Sequence, residues 1–454
     1  MLRELLLTFY LNACLIHINN KQERSLKYNH AEGGSMRKCL FFLFLIIAAC
    51  KSKTSHPVTS SVKGPIFETA AINWGIAPGV VDLATPRIPA MAKEVSKMRG
   101  VDALCFTELW PLEAKQAAIK ALGPGMHTYY EETRGENQRD GDNVCTSSQI
   151  KYPAACARKK CGNLPTEEQT ICAHKECHNE LVSLYIRGGA KCVICMVSLV
   201  GHAVDEIVKS CEQPDPQTPI AGVSRAFDGQ NGVLLASRWP LENREVLRLQ
   251  ASFSNRVALL ATIKAEGHEP IEVVCAHIST WNELPPDNPN FSDWDEEMNS
   301  QIDVVSTRLK ERVAANAGQA GDGPSLFLGD MNAGPDLSGL ITEFTPKVWS
   351  HILDLGFYSP AANSDPPFCT ICDTNTLRDV KIAGNRLEIS YARKNYLIDH
   401  VLVRDPPGGT ELKLFLMFPI LTQPRIFKGY DGQLVERHLS DHYGVVVAFR
   451  LQTK

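Results

Sequence analysis

Apolar residues gather in short runs near 67–74, 101–107, 231–237, 256–264, 271–277, 324–329, 396–403 and 443–451. Gly, Pro, Asn or Asp punctuate these runs, a pattern that reads as core strands. A different period governs 294–317, where Met298, Ile302, Val305 and Leu309 recur at three- and four-residue spacing and predict a long amphipathic helix. Helical patterns also cover 89–98 and 111–122. Hairpin-like neighbours mixed with crossover helices predict an α/β fold of two sheets packed face to face with helices outside. Polar residues at strand ends then converge on one edge, where loops carried by a rigid sheet usually hold the chemistry.

The first part of the chain lies outside this pattern. From Met36 it reads Met-Arg-Lys, an apolar run from Leu40 to Ala49, and Cys50. A short basic segment, about ten apolar residues and a small-residue end describe a secretory signal, since a membrane span needs about 20. Ile47-Ala48-Ala49-Cys50 resembles a bacterial lipobox. The expectation is therefore an exported, membrane-anchored bacterial lipoprotein, periplasmic or on the cell surface, with a signal peptide over 36–50, lipidated Cys50 and a tether over 51–64. Residues 1–35 are then read as an over-extended start, because Glu32-Gly33-Gly34 can be encoded by a ribosome-binding sequence ahead of Met36.

Composition sharpens the picture at two points. The formal net charge of −4 argues against a generic electrostatic grip on nucleic acid, although local basic patches and metal ions can supply attraction. Of the 15 cysteines, eight fall between 145 and 211, with Cys145, Cys161 and Cys177 repeating at sixteen-residue spacing. An even cluster in an exported chain reads as a disulfide framework, and eight cysteines allow 105 pairings. Zinc is the competing reading, through Cys192-x-x-Cys195 with His174 and His178. Cys369 and Cys372 read as a loop clasp, and Cys105 and Cys275 as buried thiols in core strands.

Six segments carry candidate chemistry, in this order: Ile72-Asn73-Trp74-Gly75-Ile76, Leu104 to Trp110 with Glu108, Asn231 to Pro240, Val273 to His277, Leu328-Gly329-Asp330-Met331-Asn332, and Tyr396 to Val403 with Asp399. A seventh, Ser440-Asp441-His442, precedes the last apolar run. Together they resemble the endonuclease/exonuclease/phosphatase superfamily of metal-dependent phosphodiesterases and phosphomonoesterases. The resemblance covers 65–451, interrupted by a cysteine-rich insertion over 135–228. It implies a four-layer α/β/β/α sandwich with two packed mixed sheets.

Phosphodiester hydrolysis needs a cation to neutralise the phosphate, an activated water and stabilisation of the leaving oxygen. The resemblance implies a metal set of Asn73, Glu108 and Asp441 for Mg2+, with Mn2+ or Ca2+ as alternatives. Hard oxygen ligands suit such ions, and magnesium often takes only one or two carboxylates from protein. The catalytic set it implies is His277, Asp330, Asn332, Asp399 and His442. Asp330 orients or activates the nucleophile, Asn332 binds a phosphate oxygen, His277 binds the phosphate or aids the leaving group, and Asp399 fixes the tautomer of His442, the favoured base or phosphate contact. His400 and His438 are read as structural, and Arg238 as a hairpin charge. No partner carboxylate is assigned to His277.

Asn73-Trp74-Gly75-Ile76, the Glu108-Leu109-Trp110 ending and Trp281-Asn282 are more similar to neutral sphingomyelinases than to repair nucleases. The expected partner is a phosphodiester, a phospholipid ahead of nucleic acid, with the membrane reached through Cys50. A secreted DNase-like endonuclease and a non-catalytic surface-binding lipoprotein on the same scaffold are the alternatives.

Overall fold

The computed structural model describes residues 66–131, 145–212 and 226–453, apart from 267–268, 281–284, 287, 321–322, 338, 378–393, 406–409 and 431. The signal, tether and lipidation-site readings, the first residues of the insertion and Trp281 lie outside these residues.

The chain opens with β1 (Ile66–Ile76), α1 (Ala84–Val95), β2 (Ala103–Leu109), α2 (Leu112–Leu122) and β3 (His127–Tyr129). Five α-helices follow among the described residues of the insertion: α3 (Ser147–Cys161), α4 (Thr166–Glu176), α5 (His178–Leu184), α6 (Ala190–Ser198) and α7 (Val204–Cys211). Then come β4 (Leu234–Ser237), β5 (Leu241–Leu249), β6 (Arg256–Ile263), β7 (Ile271–His277), α8 (Trp294–Ala320), β8 (Ser325–Asp330) and α9 (Pro346–Asp354). The last strands are β9 (Asp399–Arg404), β10 (Thr410–Ile420), β11 (Arg425–Lys428), β12 (Leu434–Arg437) and β13 (Gly444–Thr453).

Two mixed sheets result. One has the order β10-β13-β1-β2-β4-β3, the other β5-β6-β7-β8-β9, with β11-β12 a separate hairpin. Strand alternation decides what lies between them. On β2, Ala103 and Cys105 face the other sheet and meet Val273, Cys275, Leu326 and Leu328 in the central core. Leu104 and Phe106 point outward, onto Met91 and Val95 of α1 and Ala114 and Ala118 of α2. The second sheet repeats the arrangement: Val274, Phe327 and Leu402 pack on Met298, Ile302, Val305 and Leu309 of α8 and on Val348 and Ile352 of α9. Helix, sheet, sheet, helix is the four-layer α/β/β/α sandwich expected from the sequence. Side chains buried on both faces explain why the central strands are continuous apolar runs.

Two expectations need correction. Cys105 and Cys275 are not free thiols: they form a disulfide between β2 and β7, with Cα atoms 5.2 Å apart, and so join the two sheets. Each was correctly placed on a core strand, but one sequence cannot show that two inward positions face each other across the sandwich. The helix read from Pro89 starts earlier, at Ala84, with Pro89 inside it. The apolar face over 192–208 packs within the insertion's own core, where Cys192, Cys195, Val204, Ile207 and Val208 meet Cys145, Ile150 and Ala154.

All eight insertion cysteines pair among themselves, as Cys145–Cys192, Cys156–Cys177, Cys161–Cys172 and Cys195–Cys211. This removes the thiolates a zinc site needs. Cys369–Cys372 closes the expected clasp. The insertion's helices begin with a capping box at Thr146, whose hydroxyl accepts from the Gln149 backbone N–H while Gln149 Oε1 accepts from Thr146 N. Among the described residues no helix is long and apolar enough to cross a membrane.

Candidate active site

The site forms where β1, β2, β7 and β8 end and β9 begins. Antiparallel pairing sets Asp330, the last residue of β8, opposite Asp399, the first of β9, and parallel pairing sets His277 beside Asp330. Asn73 sits on β1 beside β2. Backbone geometry is unusual at two positions of the site: Glu108 and Asn332 have φ of +56° and +46°. Such values are uncommon outside glycine, and Asn tolerates them best. Gly75 has φ +55°, and a Cβ there would lie 2.1 Å from Asp441 Oδ1, so only glycine lets the 440–442 loop approach β1.

Seven of the eight residues singled out from the sequence form one connected network or contact it directly. The Asn73 amide donates to Glu108 Oε1 (3.0 Å) and Asp330 Oδ2 (3.1 Å), while its Oδ1 accepts from Gly75 N (2.8 Å). Asn73 therefore holds the Glu108 carboxylate. Asp330 Oδ1 accepts from the Asn332 backbone (2.9 Å), and the Asn332 side chain donates to Ile278 O (3.0 Å). His442 Nδ1 lies 2.7 Å from Asp399 Oδ2 and 3.8 Å from Asp330 Oδ2. His277 Nε2 is 3.7 Å from Asp330 Oδ2. The eighth, Asp441, contacts Ser440 Oγ at 3.4 Å and acts on Glu108 electrostatically.

Burial makes this cluster electrostatically tense. Asp330 is 1% exposed; burial, with the charge of Asp399 added, pushes its carboxyl up to about 8. Glu108 is raised by burial and then by Asp441. The two histidines move apart. Burial alone depresses His442, but Asp399, Asp441 and Asp330 outweigh it and hold the ring well above the usual histidine range. Burial, reinforced by Arg256 and His442, holds His277 well below it. One imidazolium and one neutral imidazole in a single site are the pairing that acid and base chemistry requires.

A divalent cation fits this donor set on two observations. Glu108, His277 and Asp330, and separately Asp330, Asp399 and His442, each offer ligand atoms within 4.8 Å of one another. Buried carboxylates with raised pKa values are also a cluster that a cation would stabilise.

Sequence reasoning missed two arginines. Arg87 of α1 is fully buried; Nη1 donates to Leu439 O (2.5 Å) and Trp74 O (3.3 Å), Nε to Asp82 O (3.1 Å), and Nη2 to Gly75 O. It ties the end of β1 to the loop bearing Asp441 and His442. Arg256, at the start of β6, is 7% exposed, and its Nε and Nη1 have no hydrogen-bond partner among the described residues. Its charge is felt by Glu108 and Asp330. A cation opening an otherwise apolar strand was the available signal for it. His277 Nδ1 and Asp399 Oδ1 are likewise buried without partners. Buried orphan polar atoms are rare, and their concentration here marks a site built to receive something polar.

The residues read as structural remain so. His400 contacts Ser359 Oγ (2.9 Å) and Ala333 O (3.0 Å) and stacks on Trp349; burial lowers it to about 4. His438 contacts Thr376 and Tyr443. Arg238 pairs with Asp102 at 2.5 Å.

No family model and no curated protein sequence matches the chain. Similar solved structures include sphingomyelinase C from Streptomyces griseocarneus (13% identity, TM-score 0.46, 85% of this chain and 99% of that one). Another is D. rerio TDP2 complexed with single strand DNA product (12%, TM-score 0.44, 85% and 99%). A third is a Staphylococcus aureus beta toxin mutant with bound magnesium ions (10%, TM-score 0.46, 85% and 100%).

Proposed function

We propose that this chain is a divalent-metal-dependent phosphodiester hydrolase of the endonuclease/exonuclease/phosphatase superfamily. The observation that carries the reading is the convergence of Glu108, Asp330, Asp399 and His442 with a neutral His277 and with Arg256, whose Nε and Nη1 have no hydrogen-bond partner among the described residues. Glu108 and Asp441 would hold the cation, Mg2+ first, with Asn73 keeping Glu108 in place. When bound, the ion would neutralise phosphate charge and stabilise the leaving oxygen.

The chain's own residues divide the remaining work. Asp330, within reach of both histidines, orients the attacking water. Asp399 keeps His442 protonated at Nδ1, leaving Nε2 for the phosphate or leaving group. His277, Asn332 and Arg256 meet the non-bridging oxygens. A guanidinium whose Nε and Nη1 are unspent offers a phosphate charge-assisted donors.

The substrate we favour is a phospholipid of the sphingomyelin type, cleaved as by a phospholipase C. The β11-β12 hairpin, which leads directly into the catalytic loop, exposes Ile426 and Leu434, apolar side chains suited to a lipid surface. Six disulfides among the described residues support export to an oxidising compartment. Anchoring by lipidated Cys50 completes the proposal.

The test is release of phosphate ester by the oxidatively folded chain from Cys50 onward, given sphingomyelin vesicles and duplex DNA in parallel, with Mg2+ or with chelator. Phosphocholine release that needs the metal supports the lipid reading. Cleavage of DNA alone moves the protein to the nuclease alternative, and inactivity on every phosphodiester tried favours the binding lipoprotein.

A further inference from the structure

Arg256 poses a physical problem. A buried guanidinium normally spends its donors on carboxylates or carbonyls, yet Nε and Nη1 have no such partner among the described residues. Something else must hold this side chain. The guanidinium carbon lies 5.3 Å from the ring centre of Trp110, the residue just past β2 and two positions after Glu108. Trp110 is only 3% exposed, so the contact is desolvated, the condition under which cation–π attraction is strongest. The same indole lies 5.8 Å from the His277 ring and stacks on Phe227 at 4.5 Å with planes 19° apart.

The surroundings are built to keep the indole there. Gly232 has φ +67°, and a Cβ on it would sit 3.0 Å from the indole. Phe227 closes the cysteine-rich insertion and is itself stitched to the loop ahead of β6: Ala226 N donates to Phe253 O (2.8 Å), and Asn255 Nδ2 to Gly229 O (2.5 Å). Glu297 of α8 secures that loop by accepting from Ser252 N (3.1 Å) and Ser252 Oγ (2.6 Å). Insertion, β2 and β6 therefore meet at one indole.

We propose that Trp110 is the positioning residue for Arg256. Its ring holds the guanidinium by cation–π attraction, leaving the N–H donors unspent for phosphate, and Phe227 couples the insertion to that grip by stacking on the indole. This rests on the phosphate-binding role given to Arg256 above.

The experiment uses the full oxidised chain with Mg2+ and follows inorganic phosphate binding by calorimetry, with kcat and KM on bis(p-nitrophenyl) phosphate measured alongside. Trp110→Leu is expected to weaken phosphate binding roughly tenfold, Trp110→Phe by less than about threefold because a ring face remains. Arg256→Ala should weaken it at least as much as Trp110→Leu, and the double variant should be no worse than Arg256→Ala alone, the non-additivity of two residues acting as one. Should Trp110→Leu not fold, Phe227→Leu keeps the indole and is expected to raise KM with kcat nearly unchanged. Unaltered phosphate affinity in a folded Trp110→Leu or, failing that, unaltered KM in Phe227→Leu, overturns the proposal, as do fully additive losses in the double variant. A chain that hydrolyses no phosphodiester yet loses phosphate binding on Trp110→Leu refutes the hydrolase reading and leaves this one standing.

Discussion

Asp330→Asn should stabilise the metal-free protein while abolishing its activity. Asp330 has a folded pKa raised from 3.8 to about 8. A carboxyl shifted upward contributes stability that is fully present below the unfolded pKa and lost as pH rises through the folded one. At pH 7 the unfolded chain carries an ionised Asp330 while the folded chain must take up a proton. With about 1.36 kcal/mol per unit over the interval from 3.8 to 7, the penalty is about 4 kcal/mol. Asn removes it. The replacement has a cost, because Oδ1 still accepts from Asn332 N but the new NH2 would oppose the Asn73 amide now bonded to Oδ2. A mismatched buried donor costs about 1–3 kcal/mol. The net expectation is about 1–3 kcal/mol of added stability at pH 7, disappearing or reversing near pH 4. Denaturant unfolding in chelator at pH 4 to 8, on wild type and Asp330→Asn with disulfides intact, measures it. Saturating Mg2+ should narrow the difference, since a bound cation stabilises the ionised carboxylate. A variant less stable than wild type at pH 7, or a difference independent of pH, would refute the reasoning.

Other consequences are equally concrete. Replacing both Cys105 and Cys275 by Ala releases a loop of 170 residues; chain entropy puts the loss near 5 kcal/mol, seen as a lowered thermal midpoint, and a midpoint unchanged by the double replacement would contradict a sheet-to-sheet brace. Asp399→Asn removes the main group holding His442 protonated, so burial dominates and the ring loses its proton at lower pH; the alkaline limb of the rate profile should shift downward with a large fall in kcat, whereas an unshifted limb would exclude His442 as the titrating acid. Gly75→Ala drives a methyl into Asp441 Oδ1; calorimetry should show Mg2+ binding weakened at least tenfold by the displaced carboxylate.

The apolar runs exposed the central strands because residues buried on both faces write their structure plainly, as in Val273 to His277. Strands with one wet face were not legible. β5 is broken by the polar run Glu242 to Glu245, and β10, at a sheet edge, does carry an apolar stretch, Leu414 to Ile420, that the sequence reading passes over. The candidate site residues stand out by their order along the chain, since Glu108, His277 and Asp330 each lie at or near the end of an apolar stretch. What failed was anything that depends on packing between distant segments. Cys105 and Cys275 are 170 residues apart, and the indole of Trp110 meets Arg256 only after both sheets have closed. Arg87 was hidden for a related reason: its carbonyl partners are backbone atoms, which leave no trace in side-chain identity.

The central claim, that the buried carboxylate and histidine cluster is a metal-dependent phosphodiester hydrolase, is tested most directly by one rate comparison. Hydrolysis of bis(p-nitrophenyl) phosphate is followed for wild type and Glu108→Gln, each with Mg2+ and with chelator. The expected result is turnover only by wild type with Mg2+, reduced by several orders of magnitude in Glu108→Gln at a melting temperature no lower than that of wild type. Equal rates in the two proteins, or wild-type turnover that survives the chelator, would contradict the assignment.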